Sequence, residues 1–248
     1  MSAEIVVIGS GFAARQLIKN LRYQDKMDFS RAGKSVTVVD RSSSLLSALL
    51  PPEIAARLQN RLMHSGVEFI FRSELTELVR YQDALQALFS NGLKRNFDAV
   101  VCAIGLRPDL TLARGAGIEV RQGVVVDETL ATSAPDVYAL GDCAEIAGKL
   151  LPYLQPAMLA AMTLARNLTG NPAKLTLPAR LIKVKTPDMP LHLAGDPANA
   201  CYRWEMAGII AKGFDENDLL RAFVVSEDHR KLAFSMLKEI KLTGTNLL

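Results

Sequence analysis

Near its start the chain reads Glu4-Ile-Val-Val-Ile-Gly-Ser-Gly-Phe-Ala-Ala-Arg15, and the spacing of its small residues is suited to a particular chemistry. Gly9, Gly11 and Ala14 form G-x-G-x-x-A within the loop Gly9-Ser10-Gly11-Phe12-Ala13-Ala14. At that spacing Gly9 permits a tight turn, Gly11 lets backbone approach a pyrophosphate, and Ala14 lets a helix pack closely on a strand. A helix beginning here would turn free N–H groups and a partial positive charge toward phosphate oxygens. The same residues also suit a glycine-rich turn that holds nothing. Asp40 ends an apolar run and could accept hydrogen bonds from a ribose, or simply open the polar turn Asp40-Arg-Ser-Ser-Ser44. Gly141-Asp142 closes another apolar run. Asp142 and Glu145 have capping-box spacing, so Asp142 suits either a helix cap or a ligand contact, and the two roles are compatible.

These residues need elements to hold them. Ile5–Ile8 is β-branched and unbroken, as in a strand buried on both faces, and a helical pattern follows through Leu17, Ile18 and Leu21. Ser35–Asp40 predicts a second strand. Pro51-Pro52-Glu53 predicts a helix with Ile54, Leu58, Leu62 and Met63 on its apolar stripe, ended by Gly66 and followed by the strand Val67–Phe71. Glu77–Arg80 and Leu85–Phe89 read as antiparallel strands with a turn at Asn91-Gly92. Asp98–Gly105 and Val137–Leu140 read as further buried strands, with Gly123–Asp127 a shorter one between them. The expectation is an α/β fold with a Rossmann-like parallel sheet through residues 5–8, 36–39, 69–71, 99–103 and 137–140. A helix over Pro156–Leu168 closes at Gly170-Asn-Pro172, which predicts a boundary between residues 1–171 and 172–248. Beyond it Arg180–Lys185, Leu191–Ala194, Tyr202–Met206 and Leu219–Val225 predict a small antiparallel sheet. A helix over Arg230–Ile240 completes an α+β unit.

Several classes of function are excluded by what the chain lacks. A net charge of +3, without a basic run interleaved by aromatics, argues against nucleic acid. Cys102, Cys143 and Cys201 have neither C-x-x-C nor zinc spacing, and their odd number fits a reducing cytosol better than a disulfide framework. No apolar segment approaches the roughly 20 residues that span a bilayer. The N-terminal apolar run has a strand's length and no basic flank, unlike a signal peptide. His64, His192 and His229 lie in unrelated settings and read as structural or surface residues, so neither a metal centre nor a Ser/His/Asp arrangement is expected.

The segments Ile8–Gln16, Ala103-Ile-Gly-Leu-Arg-Pro108, Tyr138–Glu145, Lys185-Thr-Pro187, Pro190–Gly195 and Arg221–Asp228 together resemble the two-dinucleotide FAD/NAD(P)-dependent pyridine nucleotide oxidoreductases. Among these, the resemblance is to the rubredoxin reductases, and it runs along nearly the whole chain. It implies two cofactors, FAD and NAD, with NADH as electron donor and the rubredoxin domain of a flavorubredoxin as acceptor, in nitric oxide detoxification. It implies that Gly9, Gly11 and Ala14 hold the FAD pyrophosphate, and that Asp142, after Gly141, meets the ribityl or adjoining phosphate region. Asp40 would meet the ribose of the nicotinamide cofactor, favouring NADH, with Arg41 beside it pulling the other way. Ala103 to Gly105 would line that cofactor's path. No acid–base side chain is implied, and the lack of a cysteine pair suits rubredoxin better than a disulfide substrate. The sequence departs from the family in one respect. A full member has two glycine fingerprints and this chain has one. The helix after Ala14 runs, near Lys26-Met27, into a segment Asp28–Lys34 that in the family follows the second fingerprint, so a large internal stretch is missing.

Overall fold

The computed structural model describes residues 3–8, 34–186, 189–197 and 199–240. Its centre is a four-stranded, all-parallel sheet in the order β3-β2-β1-β7. The strands are β1 (Ala3–Ile8), β2 (Lys34–Asp40), β3 (Val67–Phe71) and β7 (Ala99–Cys102). Side chains alternate between the two faces of a strand, and here both faces are covered. Val7, Val36 and Val38 pack toward helix α1 (Pro52–His64), whose Ile54, Ala55, Leu58 and Leu62 are buried. Val6, Ile8 and Val39 pack on the other side against Ala87, Phe89 and Phe97. Those three belong to an antiparallel meander of β4 (Leu75–Tyr81), β5 (Ala84–Phe89) and β6 (Lys94–Phe97), which replaces a helix in the crossover from β3 to β7. Continuous Val/Ile strands buried from two sides are what a parallel sheet requires. Met63, expected on the helix stripe, is instead 49% exposed at the end of α1. Gly66 has φ +89° and takes the left-handed conformation that stops the helix.

The stretch Val137–Leu140 departs from expectation. Val137, Tyr138 and Leu140 are more than a third exposed, only Ala139 packs inward, and the stretch joins no sheet; Tyr138 makes an isolated antiparallel bridge to Ala131. The backbone here is engaged by its own preceding loop: the Thr132 N–H donates to the Val137 carbonyl at 2.9 Å and the Ala139 N–H to the Leu130 carbonyl at 3.2 Å. The segment leads instead into a small separate sheet of β8 (Val124–Val126), β9 (Ala144–Ile146) and β10 (Lys149–Leu150). Two helices accompany this part, the short α2 (Thr111–Gly115) and the longer α3 (Leu154–Leu168).

Beyond α3 an antiparallel five-stranded sheet runs β11-β12-β15-β14-β13, over Ile182–Val184, Leu191–Gly195, Leu220–Ser226, Ile210–Phe214 and Arg203–Ala207. Helix α4 (Arg230–Glu239) packs on one face through Ala233 and Met236. The opposite face shares a core with the parallel-sheet unit, since Val184, Leu191, Leu193, Ala211 and Val224 cluster with Leu58 and Leu62 of α1. Arg57 Nη1 donates to the Gly208 carbonyl at 2.6 Å, and Lys149 pairs with Asp196 at 2.9 Å, so polar ties run beside that apolar seam. Among the described residues no helix is long and apolar enough to cross a membrane.

Candidate functional site

The strand order carries the first geometric statement about a site. From β1 the chain steps outward to β2 and β3, then returns to the far side of β1 as β7, so the order reverses between β1 and β7. In open α/β sheets ligands bind outside the carboxyl ends of the strands at such a switch point. The register brings Ile8 opposite Val39 on one side and Cys102 on the other, so β1, β2 and β7 end together. The loop Gly9–Ala14 leaves from Ile8 at this place; Gly9, Ser10, Gly11, Phe12, Ala13 and Ala14, and the helix expected through Leu21, lie outside the described residues.

Asp40 is the last residue of β2 and is half-buried. Its Oδ1 accepts the Ser42 backbone N–H at 2.8 Å and also the Ser42 hydroxyl. Its own carbonyl accepts the Ser73 N–H at 3.2 Å. The carboxylate therefore does open a tight polar turn, one of the two roles its sequence allowed, and the turn holds it at the strand's carboxyl end. Ligands of open α/β sheets also bind at that end of the strands.

On the other flank, the Ala103 N–H donates to the Ile8 carbonyl at 2.7 Å, which extends the β1–β7 ladder by one residue. Ala103 is buried, whereas Ile104 and Leu106 are 74% and 76% exposed. Gly105 between them has φ +88°, and a Cβ there would meet nothing within 4 Å. The chain leaves the sheet as an open apolar strap beside the switch point. Asp109 then accepts the Thr111 N–H at 2.9 Å and starts α2; the Thr111 hydroxyl and N–H hold its carboxyl below the usual carboxylate range.

Gly141 and Asp142 stand elsewhere. They form, with Cys143, a single 3-10 turn that feeds β9, on the small sheet and not the parallel one. Gly141 has φ +77° and open space where a Cβ would be, and the Asp142 carboxylate is exposed. The capping-box arrangement is not formed, because Glu145 turns the other way and accepts N–H groups from Gln122 and Gly123. The structure thus brings Asp40, Ala103 and Ile8, after which the Gly9–Ala14 loop begins, to one end of the parallel sheet and sets Gly141-Asp142 on a second element. Sequence reasoning missed Glu145, although a lone acid inside the apolar string Ala144-Glu145-Ile146 was a usable signal. It also missed a shallow, open groove between α3 and the following segment. Leu151, Tyr153, Pro156, Leu177 and Arg180 are among the residues lining it. There the Arg180 guanidinium lies 4.3 Å from the Tyr153 ring centroid, a cation–π distance. Among the described residues no three of His, Cys, Asp or Glu are grouped to hold a metal.

An order-reversing parallel sheet, with a glycine-rich sequence after its first strand and an acid ending its second, is the arrangement of the dinucleotide-binding class of α/β folds. More narrowly, the chain belongs to the pyridine nucleotide-disulphide oxidoreductase family, whose model matches residues 2–165. A second model, described as a rubredoxin binding C-terminal domain, matches residues 174–240. The nitric oxide reductase FlRd-NAD(+) reductase of Escherichia coli K12 is 47% identical over 242 residues. Its counterpart in Escherichia fergusonii is 46% identical over the same length. In both cases the match takes in 96% of this chain and 62% of the relative, so the chain spans about three fifths of the relatives' length. Solved structures share the fold: a ferredoxin reductase from Rhodopseudomonas palustris has TM-score 0.74 at 23% identity, over 98% of this chain and 61% of that one. An NAD-dependent persulfide reductase from A. fulgidus has the same TM-score and identity over 96% of this chain and 48% of that one.

Proposed function

We propose that this chain is a shortened FAD-dependent oxidoreductase of the kind that passes electrons from NADH to the rubredoxin domain of a flavorubredoxin in nitric oxide detoxification, and that its own turnover is severely impaired. The observation that carries the reading is the order of the two matched families on one chain, with a strand-order reversal in the first. FAD, when bound, takes hydride from NADH and gives up electrons singly. The protein supplies position and polarity for this chemistry. In this reading Gly9–Ala14 cradle a pyrophosphate, Asp40 meets a ribose, and Ala103 to Gly105 border the ligand's path. Gly141-Asp142 approach the ribityl region of a flavin. Residues 1–171 form a hybrid dinucleotide unit and 172–248 the rubredoxin-facing unit. The cysteines, scattered and unpaired in sequence, suit the cytosol.

The sequence fits one dinucleotide better than two. Hydride transfer requires two cofactors with reacting atoms about 3–3.5 Å apart, and each needs its own phosphate cradle. This chain has one glycine loop and one acid-ended strand beside it. A second reading follows from that: a remnant without turnover that holds a single adenine dinucleotide, or only a protein partner. Calorimetry on the purified chain tests the single cradle on which the proposal rests. The proposal expects one adenine dinucleotide per chain, with FAD and NADH competing, and loss of binding in Gly11→Val, where a side chain fills the pyrophosphate's space. Independent, additive binding of both cofactors would refute the single-cradle account, and no binding of either would leave only the partner role.

A further inference from the structure

The turn that presents Asp142 is built directly against an earlier loop. At Gly123 a Cβ would stand 2.7 Å from the Cys143 carbonyl oxygen and 3.0 Å from the Glu145 nitrogen, so backbone there lies on backbone. Gly123 precedes β8 and Cys143 precedes β9, and the two strands run parallel with Val124 opposite Ala144. Glu145 closes this contact. Its side chain is 3% exposed, and one oxygen, Oε2, accepts both the Gln122 N–H at 2.8 Å and the Gly123 N–H at 3.0 Å. The other oxygen, Oε1, lies 3.7 Å from Arg121 Nη1, and Arg121 also holds Glu119 at 3.2 Å. Its strand neighbours Ala144 and Ile146 are 0% and 7% exposed. A carboxylate buried in such company is costly unless several donors meet it, and here two amides and a guanidinium do.

By contrast the turn has little holding it from within. The Ala144 N–H bonds back to the Gly141 carbonyl, and the Cys143 thiol lies 3.5 Å from the Leu140 carbonyl. We propose that Glu145 is the positioning residue of the Gly141-Asp142 turn, pinning it to the 121–123 loop so that the exposed Asp142 carboxylate is presented to a flavin in a fixed place. The inference rests on the reading of Asp142 as a flavin contact. Order set before binding is order the ligand does not have to impose, which raises affinity without a new contact.

The test uses the full chain with Glu145→Leu, which keeps bulk and removes both acceptors, and Glu145→Gln, which keeps one oxygen for the two amides. Hydrogen exchange is followed over 119–147 and over 34–71, and FAD affinity is measured on the same samples. Leaving two enclosed amides without an acceptor is expected to speed exchange at 122–123 and 141–146 by about tenfold or more in Glu145→Leu. Residues 34–71 keep wild-type rates, the FAD dissociation constant rises by a similar factor, and Glu145→Gln restores both. Unchanged exchange at 141–146 in Glu145→Leu overturns the proposal. So does faster exchange there with unaltered FAD affinity. Loss of protection across 34–71 as well marks a merely structural role and also overturns it. If the wild-type chain binds no FAD, the flavin reading of the site falls, and the exchange pattern alone decides whether Glu145 holds the turn.

Discussion

Asp40 does two things with one carboxylate, and that double use is testable. The Ser42 N–H and hydroxyl engage Oδ1, and the reading of Asp40 as a ribose contact asks the same carboxylate, with about four lone-pair positions in all, to accept from a ribose as well. Replacing Asp40 with Ala removes a charged acceptor, worth roughly 1.5–3 kcal/mol per hydrogen bond. Affinity for an adenine dinucleotide is expected to fall about 10- to 100-fold, read by calorimetry, and unchanged affinity would leave Asp40 as a turn residue alone. Glu227 predicts a pH effect. The Lys183 ammonium, 2.6 Å away, lowers its pKa most; burial opposes this, and His192, whose Nε2 is 3.0 Å from the same oxygen, adds to the lowering. A pKa depressed by folding gives stability that is complete above the unfolded carboxylate's pKa and is lost as pH falls through the folded value. Thermal stability should therefore drop as pH goes below the ordinary carboxylate range, and Glu227→Gln should flatten that drop. An equally steep loss in the variant would assign acid sensitivity to other carboxylates, such as Asp215. Burial pushes the Asp215 pKa up, but the Leu219 N–H and the Arg221 side chain outweigh this and lower it overall. Asp40 and Asp142 could be picked out in sequence because acids that end apolar runs are conspicuous. Glu145 escaped because its role depends on Gln122 and Gly123, which are remote in sequence.

At the level of elements, β12 ends on a residue that admits no side chain. Gly195 has φ +80°, and a Cβ there would sit 1.9 Å from the Arg221 carbonyl oxygen on the paired strand. Gly195→Ala combines a left-handed backbone with a collision against backbone, and a loss of roughly 2–4 kcal/mol is expected. A thermal midpoint within a degree or two of wild type would show that the β12–β15 pair can shift apart without cost. The strands legible in sequence were β1 to β5, β7, β8, β11 to β13 and β15, whose apolar residues run together or alternate. Strand β14 was missed because its inward residues are Ala211 and Gly213. Gly213 lies against the Trp204 ring, where a Cβ would approach to 3.1 Å, so the space is filled by the neighbour's indole and not by the strand's own side chains. Val137–Leu140 erred in the other direction. Its apolar letters match a buried strand, but its backbone hydrogen bonds go to residues 130–132, so it pairs with its own preceding loop and not with the parallel sheet.

For the whole molecule, one cradle and two cofactors cannot be reconciled by local adjustment. Helix α3 makes the same point from a different side, because Leu154, Met158, Met162 and Leu168 are each more than half exposed along one helix. A contiguous apolar face of that kind is rare on a complete soluble fold, and it fits a chain spanning 62% of its relatives. The five-stranded sheet, in contrast, retains its core with α1, so the part matched to rubredoxin binding keeps its support. The account therefore separates a retained partner surface and one retained dinucleotide site from electron transfer itself. The most direct measurement is rubredoxin bleaching by the purified chain supplied with FAD and NADH, beside an intact family member at equal concentration. The account predicts a rate at least about a hundredfold below the intact protein, as expected when reacting atoms are not held in contact. A rate approaching that of the intact member would contradict it, and would mean that one glycine loop serves where the family uses two.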